Sequence, residues 1–447
     1  MHPVSHGNSS GIGRLLRGIA TDITPLRVAR DYRLLWAGNL VSTAGRQITL
    51  VALPYQVYVL THSSLAVGAI GLVQLVPLVA LSLMGGAIAD MVDRRRLLLV
   101  TNACLAGCST LLTVGAFLHW RSVAYLYAVA ALIAGFGAVD QPTRQATIPN
   151  LVPREHLASA LALSFAAYQT TLLVGPAVGG VIIAAVGLGP AYLIDVVSFG
   201  AAIAAVVAIA PQPPQGAQRE PVLQSIRHGL EYVMQQRVLL GSFAADMVAM
   251  VFGMRRALFP VLATSVYKSG PAGLGLLYAA PGVGAVAAAL TAGWVGRTRA
   301  QGRVVVAVVA LWGVSIVWLG LARSLWMALL ALAVGGAADA FSAVARSTIM
   351  QTVTPDHLRG RVAAVYSMVV VGGPSLGDIE AGAVATAFTP AASILSGGVL
   401  CLLGLGAVAL SMPQLWRYRA RYFTEAAGPS AAAPEVTRTP GSGPGAG

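Results

Sequence analysis

The sequence predicts an all-α membrane protein of twelve transmembrane helices, arranged as two pseudo-symmetric six-helix bundles. Composition, charge placement and an internal repeat carry that prediction. Of 447 residues, 56% are hydrophobic and only 10% are charged, against roughly 25% charged in a soluble domain. The apolar residues come in long blocks separated by short polar gaps, and about 20 mostly apolar residues make one span. The 50 glycines suit helices that pack closely in lipid.

Reading the blocks in order places spans at 34–60, 66–89, 97–118, 123–140, 161–187 and 190–210, and then at 239–263, 272–295, 304–321, 325–343, 363–388 and 391–412. The chain then divides into a cytoplasmic N-terminal segment (1–33), a first bundle (34–210), a linker (211–238), a second bundle (239–412) and a tail (413–447). The linker begins Pro-rich (Pro211, Pro213, Pro214) and becomes amphipathic around Ile226, Leu230 and Val233, which predicts a surface helix. After Glu425 the tail is Ala, Pro, Gly and Ser, a composition that favours disorder. Residues 1–33 carry five arginines and no apolar core, so no signal peptide is expected.

Orientation follows from the cations. With the N-terminus inside, inside segments hold 23 Lys and Arg residues, and outside loops hold three, Arg121, Lys268 and Arg323. Arg46, Arg255 and Arg256 lie within spans. Both termini are therefore expected in the cytoplasm, with the protein in the cell membrane. Scattering of the net charge of +13 over short loops argues against nucleic-acid binding.

The halves echo one another at an offset of about 200 residues. Gly71-Leu72 with Pro77 matches Gly275-Leu276 with Pro281, and Gly137-Ala138-Val139-Asp140 matches Gly336-Ala337-Ala338-Asp339. Val152-Pro153-Arg154-Glu155-His156-Leu157 resembles Thr354-Pro355-Asp356-His357-Leu358, and Gly175-Pro176-x-x-Gly179 matches Gly373-Pro374-x-x-Gly377. Two halves in the same orientation are the parallel repeat of alternating-access carriers.

Enzyme and ATPase signatures are missing. The single lysine, Lys268, follows Tyr267, so no P-loop exists, and there is no H-E-x-x-H motif. The G-x-S-x-G strings at Gly7–Gly11 and Gly373–Gly377 lie in the N-terminal segment and within span eleven, not at the strand-to-helix turn that a nucleophile elbow needs. Cys104, Cys108 and Cys401 sit in apolar blocks and read as small hydrophobes. No cofactor, metal or ATP is expected, and the partners are a small-molecule substrate, protons and lipid, with the chain acting as a monomer.

The loop after the second span reads Gly85-Gly86-Ala87-Ile88-Ala89-Asp90-Met91-Val92-Asp93-Arg94-Arg95-Arg96. It resembles the major facilitator superfamily signature G-x-x-x-D-R-x-G-R-R/K. Gly86, Asp90, Arg94 and Arg95 fit, while Met91 and Asp93 depart from it. The resemblance implies a gate, with Asp90 against a neighbouring helix end; a basic loop that merely sets topology is the other reading. Asp140 and Arg144 can pair at i, i+4 near the cytoplasmic mouth, either as part of that gate or as a local salt bridge. Gly175-Pro176-Ala177-Val178-Gly179-Gly180 resembles the G-P-x-x-G-G antiporter motif of drug:proton exporters, with Gly373, Pro374 and Gly377 as its echo. An ordinary packing kink is the alternative.

Thr61-His62-Ser63, Asp140-Gln141-Pro142-Thr143-Arg144-Gln145-Ala146, Arg256 to Ala263 and Gly377-Asp378 together resemble the enterobactin (siderophore) exporter group, over roughly residues 30–415. The resemblance implies outward transport of a small organic molecule against proton influx. A multidrug efflux antiporter is the alternative, and a non-transporting sensor or partner subunit is a third class.

Ionisable residues within the bilayer are costly and therefore functional candidates. Proton-coupling candidates are Asp378, then Glu380, Asp195 and Asp246. Asp378 and Glu380 are two apart and cannot share a helix face. Candidate cavity residues are Arg46, Gln47, Tyr55, Gln56, Phe252, Arg256, Phe259 and Tyr278. Each also has a structural reading: paired charges can lock helices together, and membrane tyrosines can be interfacial anchors.

Overall fold

The structure, a computed structural model, describes residues 22–213 and 222–419; side chains of residues 83–90, 222–226, 296 and 371 are not described. The expected disorder beyond Glu425, most of the N-terminal segment, and the Gly86 and Asp90 side chains lie outside the described residues. No strand occurs among the described residues. The first half comprises α1 (Arg30–Thr61), α2 (Ser64–Met91), α3 (Arg94–Phe117), α4 (Val123–Leu151), α5 (Leu157–Val186) and α6 (Leu188–Val207). The linker carries α7 (Val222–Gln235). The second half comprises α8 (Arg237–Gly253), α9 (Gly270–Thr291), α10 (Gln301–Leu321), α11 (Leu325–Val353), α12 (Arg359–Ala387) and α13 (Pro390–Ser411).

Eleven helices among the described residues are long and apolar enough to cross a membrane. The twelfth, α1, is 32 residues long and is not among the eleven; it carries Arg30, Asp31, Arg33 and Arg46 and packs within the bundle against α5 and α6. The protein is a multi-pass membrane protein with an all-α fold.

Turn chemistry explains most boundaries. Ser122 Oγ accepts from Tyr125 N–H at 3.3 Å, and Ser324 Oγ from Met327 N–H at 3.4 Å, to start α4 and α11. Thr389 Oγ1 accepts from Ala392 N–H at 3.1 Å while Pro390 opens α13. Such caps contribute about 1 kcal/mol each. Gly187 joins α5 to α6 at φ 81°, a backbone region that an added Cβ would strain.

Two helices outrun their apolar stretches. The apolar pattern ends span four near 140 and span ten near 343, but α4 continues to Leu151 and α11 to Val353. On these extensions Arg144 and Arg346 turn into the bundle, where they pair with Asp140 and Asp246. Arg94, Arg144 and Arg346, which the charge count places in loops, are consequently buried.

Span seven is also interrupted. After α8 the backbone leaves the helix at Met254, makes a 3₁₀ turn at Arg256–Leu258, and resumes through Phe259–Val261 and a π turn at Leu262–Val266. Pro260 lacks an N–H and fits the first turn of a restarted helix. Broken backbone at membrane depth is tolerated where it lines a cavity.

We call the end bearing α7 and the α2–α3 and α4–α5 turns the linker face. The linker is tied at both its ends. Arg94 N–H donates to Gln212 O at 3.0 Å and Gln212 N–H donates to Asp93 Oδ2 at 3.1 Å. Tyr232 Oη donates to Val353 O at 2.9 Å, fixing α7 to the end of α11.

Candidate functional site

The halves meet most closely toward the face opposite the linker. There α2 lies on α12 and α5 on α9. A Cβ on Gly71 would stand 3.2 Å from Ser375 Cα, and a Cβ on Gly180 would stand 2.8 Å from Gly275 Cα. Only glycine allows that approach at Gly180, because the obstacle is backbone. Tyr58 Oη and Ser265 Oγ, 2.9 Å apart, bridge the halves at the same end.

The two Gly-Pro bends repeat one geometry. Gly175 and Gly179 face Gln47 and Ile48 of α1, with Gly179's Cβ position 3.0 Å from Ile48 Cα. Gly373 and Gly377 face α8 in the same way, with Cβ positions 2.7 Å from Met250 Cβ and 2.6 Å from Met250 O. Pro176 and Pro374 lie inside α5 and α12.

Behind that closed end lies a cavity of about 240 Å³ between the halves. Arg46, Thr49, Leu53 and Pro54 of α1 and Val67, Ile70 and Gln74 of α2 form one wall. Arg256 and Ala257 of the span-seven break, Tyr278 of α9 and Asp378 of α12 form the other. The break places the Ala257 N–H where Asp378 Oδ1 accepts it at 2.9 Å. Arg256 is exposed to this space and makes no ion pair among the described residues. Phe259 is buried and packs edge-on behind Tyr278, with ring centroids 5.1 Å apart.

Arg46 is held more loosely than its depth suggests. Its Nη2 is 3.7 Å from Asp140 Oδ2, but Asp140 is already engaged by Arg144 Nε at 2.7 Å, Thr101 Oγ1 at 3.0 Å and Asn102 Nδ2 at 3.3 Å. Arg144 also donates to Asn102 Oδ1 at 2.8 Å. The Asp140–Arg144 salt bridge is thus the centre of a buried network inside the first half. Arg46 keeps 30% of its side chain exposed toward the cavity and lies 5.8 Å from the Phe199 ring centroid.

Other candidates lie away from the cavity lining. Glu380 forms an ion pair with the buried Arg255, whose Nη2 also donates to Phe252 O at 2.7 Å. Of the two carboxylates on α12, Asp378 lines the cavity while Glu380 engages Arg255. Asp195 is buried within the first half and accepts from Thr49 at 2.6 Å and Ser109 at 2.8 Å. Asp246 forms a buried ion pair with Arg346. Gln56 accepts from Tyr192 Oη at 2.8 Å, Gln47 packs at Gly175, and Tyr55 is half-buried. Arg94 donates to Ala146 O at 2.7 Å, and Arg95 to Val206 O at 3.2 Å, where it complements the C-terminus of α6.

Two groups escape the sequence reading. Hydropathy places Arg346 in a loop, and Asp339 enters only as the echo of Asp140. The repeat itself is the available signal, since it marks Asp339 as the partner position of a network aspartate.

A family model described as transmembrane secretion effector matches residues 20–428. The chain belongs to this family of the major facilitator superfamily. It is 25% identical over 407 residues to the enterobactin exporter EntS of Citrobacter koseri, covering 89% of this chain and 95% of that protein. Against EntS of Shigella boydii serotype 18 the identity is 24% over the same coverage. Among solved structures, a point mutant of the nucleoside transporter NupG superposes with TM-score 0.69 at 12% identity, covering 87% of this chain and 100% of that one. A bacterial homologue of the human lysosomal transporter Spinster, inward-facing and unoccupied, gives TM-score 0.65 at 14% identity, covering 87% and 96%. The protein is therefore a membrane transporter with the major facilitator fold.

Proposed function

We propose that this transporter is a secondary active exporter of a small organic anion of catecholate siderophore type, driven by proton influx, with Asp378 taking the proton. The observation that carries this reading is the pair of cavity arginines on opposite halves. Arg46 and Arg256 approach one space, and neither is fully neutralised by a carboxylate. Guanidinium is a fixed cation with directed donors, so such a space favours carboxylate or phenolate oxygens over cations. The curated relatives named above are described as enterobactin exporters, which agrees with that chemistry.

In this reading the described state opens toward the linker face, which the cation bias assigns to the cytoplasm, and rocking of the halves exposes the cavity outside. Both termini lie in the cytoplasm, the protein sits in the cell membrane, and a monomer works without ATP. Asp378 lines the same space as Arg256, so a proton on Asp378 and an anion on the arginines alter one local charge balance.

Multidrug efflux by proton antiport is the second reading, favoured by the apolar lining of Leu50, Leu53, Val67, Ile70 and Ile133. Transport selectivity separates the two. A hydrogen bond to a charged group contributes about 1.5–3 kcal/mol, and 1.4 kcal/mol is roughly tenfold. Arg46→Ala and Arg256→Ala should each lower catecholate transport by about ten- to a hundredfold, with little effect on a cationic dye. Unchanged catecholate transport with altered dye transport would transfer the assignment to multidrug efflux.

A further inference from the structure

The second half contains a charge cluster outside the cavity lining just described. Arg346 of α11 forms an ion pair with Asp246 of α8, and its Nη2 lies 3.5 Å from Asp339 Oδ1, about two turns earlier on the same helix. Arg346 and Asp246 are almost fully enclosed, at 3% and 0% side-chain exposure, whereas Asp339 keeps 40%. Asp339 lies within electrostatic reach of Arg256 on the cavity wall and lines a small internal gap beside Ser342 and Arg346.

The first-half network is built around Asp140, the residue that the internal repeat pairs with Asp339, and its charge balance is the opposite one. Asp140 of α4 and Asp339 of α11 stand at matching positions of the repeat. The first-half set has two arginines around one aspartate. The second-half set has two aspartates around one arginine. One half therefore carries a surplus positive charge turned toward the cavity. The other carries a surplus negative charge inside the bundle.

A surplus buried charge is costly in low dielectric. The two helices packed most closely on α11 add no cation near the cluster: α9 carries no charged side chain, and the only charged side chain of α10 is Arg303, near its linker-face end. From α12 Tyr366 contributes its ring, 5.9 Å from Arg346. The span-seven break contributes Arg256, which lines the cavity, acts on Asp339 from a distance and forms no ion pair with it among the described residues. Beside the cluster, Asp339, Ser342, Arg346 and Trp312 line a small gap of about 10 Å³, near the size that admits one water. Ser342 is 2% exposed, and neither its hydroxyl nor Arg346 Nε has a hydrogen-bond partner. That water-sized gap, with Asp339, Ser342 and Arg346 on its polar side and Ala249, Val308 and Val309 on its apolar side, provides a place for a proton to arrive or leave.

We propose that Asp339 is a second proton-binding residue of this carrier. The proposal rests on the proton-driven reading above and deepens it. When Asp339 gains a proton, its carboxylate becomes a neutral carboxyl and the cluster loses its surplus charge; Arg346 stays with Asp246. When the proton leaves, Asp339 again attracts Arg346 and competes with Asp246 for it. The competition bears on how α11 is held against α8. Asp378 then takes the proton on the cavity wall, while Asp339 holds one near the middle of α11.

Infrared difference spectroscopy on the full-length protein in lipid, stepped from alkaline to acidic buffer, tests this. The parent should develop a protonated-carboxyl band with a component that Asp339→Asn removes. Asp378→Asn should keep that component and lose a different one. Asp339→Glu should restore a carboxyl band at a shifted position, which separates loss of the proton site from loss of fold. An identical carboxyl band in parent and Asp339→Asn would overturn the proposal, as would an Asp339→Glu band that does not shift. A parent that shows the Asp339 component yet accumulates no substrate under a pH gradient would sink the coupling reading alone.

Discussion

Arg346→Met is expected to destabilise the folded protein by about 3–5 kcal/mol, the cost of breaking a buried ion pair by removing one partner. Asp246 has no exposed surface and would be left without a cation beside it, so it would either hold an uncompensated charge or take up a proton at a cost. Asp339 would lose its neighbouring guanidinium as well. The size of the effect comes from the stranded carboxylates more than from lost attraction. Replacing both partners removes the stranding. Arg346→Met combined with Asp246→Leu should therefore recover most of the loss, since a well-packed apolar pair is often neutral or stabilising. Unfolding midpoints in detergent, followed by tryptophan fluorescence, check this. A double variant as unstable as Arg346→Met would mean that the pair supplies net stability of its own.

The second large effect is on coupling rather than folding. Asp378→Asn should abolish gradient-driven accumulation while leaving substrate exchange intact. Asparagine keeps an oxygen that can accept the Ala257 N–H held by Asp378 at 2.9 Å, so the span-seven break should survive. What it loses is the ability to take a proton beside Arg256. Exchange needs only the cavity and the rocking of the halves; accumulation needs the proton. If the variant accumulates substrate as the parent does, Asp378 is structural. Glu380 is then tied to Arg255 and Asp195 to two hydroxyls, which leaves Asp339 as the acid best placed to replace it.

How far the sequence reveals this arrangement depends on the residue. The bundle is legible because lipid demands apolar blocks, and the repeat is legible because two halves reuse one packing scheme. The roles of Gly175 and Gly179 against α1, and of Gly373 and Gly377 against α8, follow that scheme. Helix ends are less legible. At Asp140 and Asp339 the apolar composition weakens, yet the helices continue because Arg144 and Arg346 find partners inside the protein. Hydropathy therefore reads Arg346 as a loop cation. Nor does composition say which way a side chain turns in a helix that is apolar on every face. Gln56 and Arg46 look equally available in sequence. Only the fold shows that Tyr192 holds the first, while Arg144 engages Asp140 and leaves the second turned toward the cavity. The break at Met254–Leu258 has a partial signal in Arg255-Arg256 followed by Pro260, residues unfavourable in a continuous buried helix.

The most direct test of proton-driven anion export is transport by the purified parent protein in sealed liposomes. A labelled catecholate should be placed outside with a pH gradient imposed across the membrane. The protein molecules whose linker face points outward are the ones that move substrate inward in the export sense. Accumulation above the external concentration should appear when the lumen is acidic, collapse when a protonophore is added, and fail without the protein. Equilibration without accumulation, unaffected by the protonophore, would contradict proton-driven export.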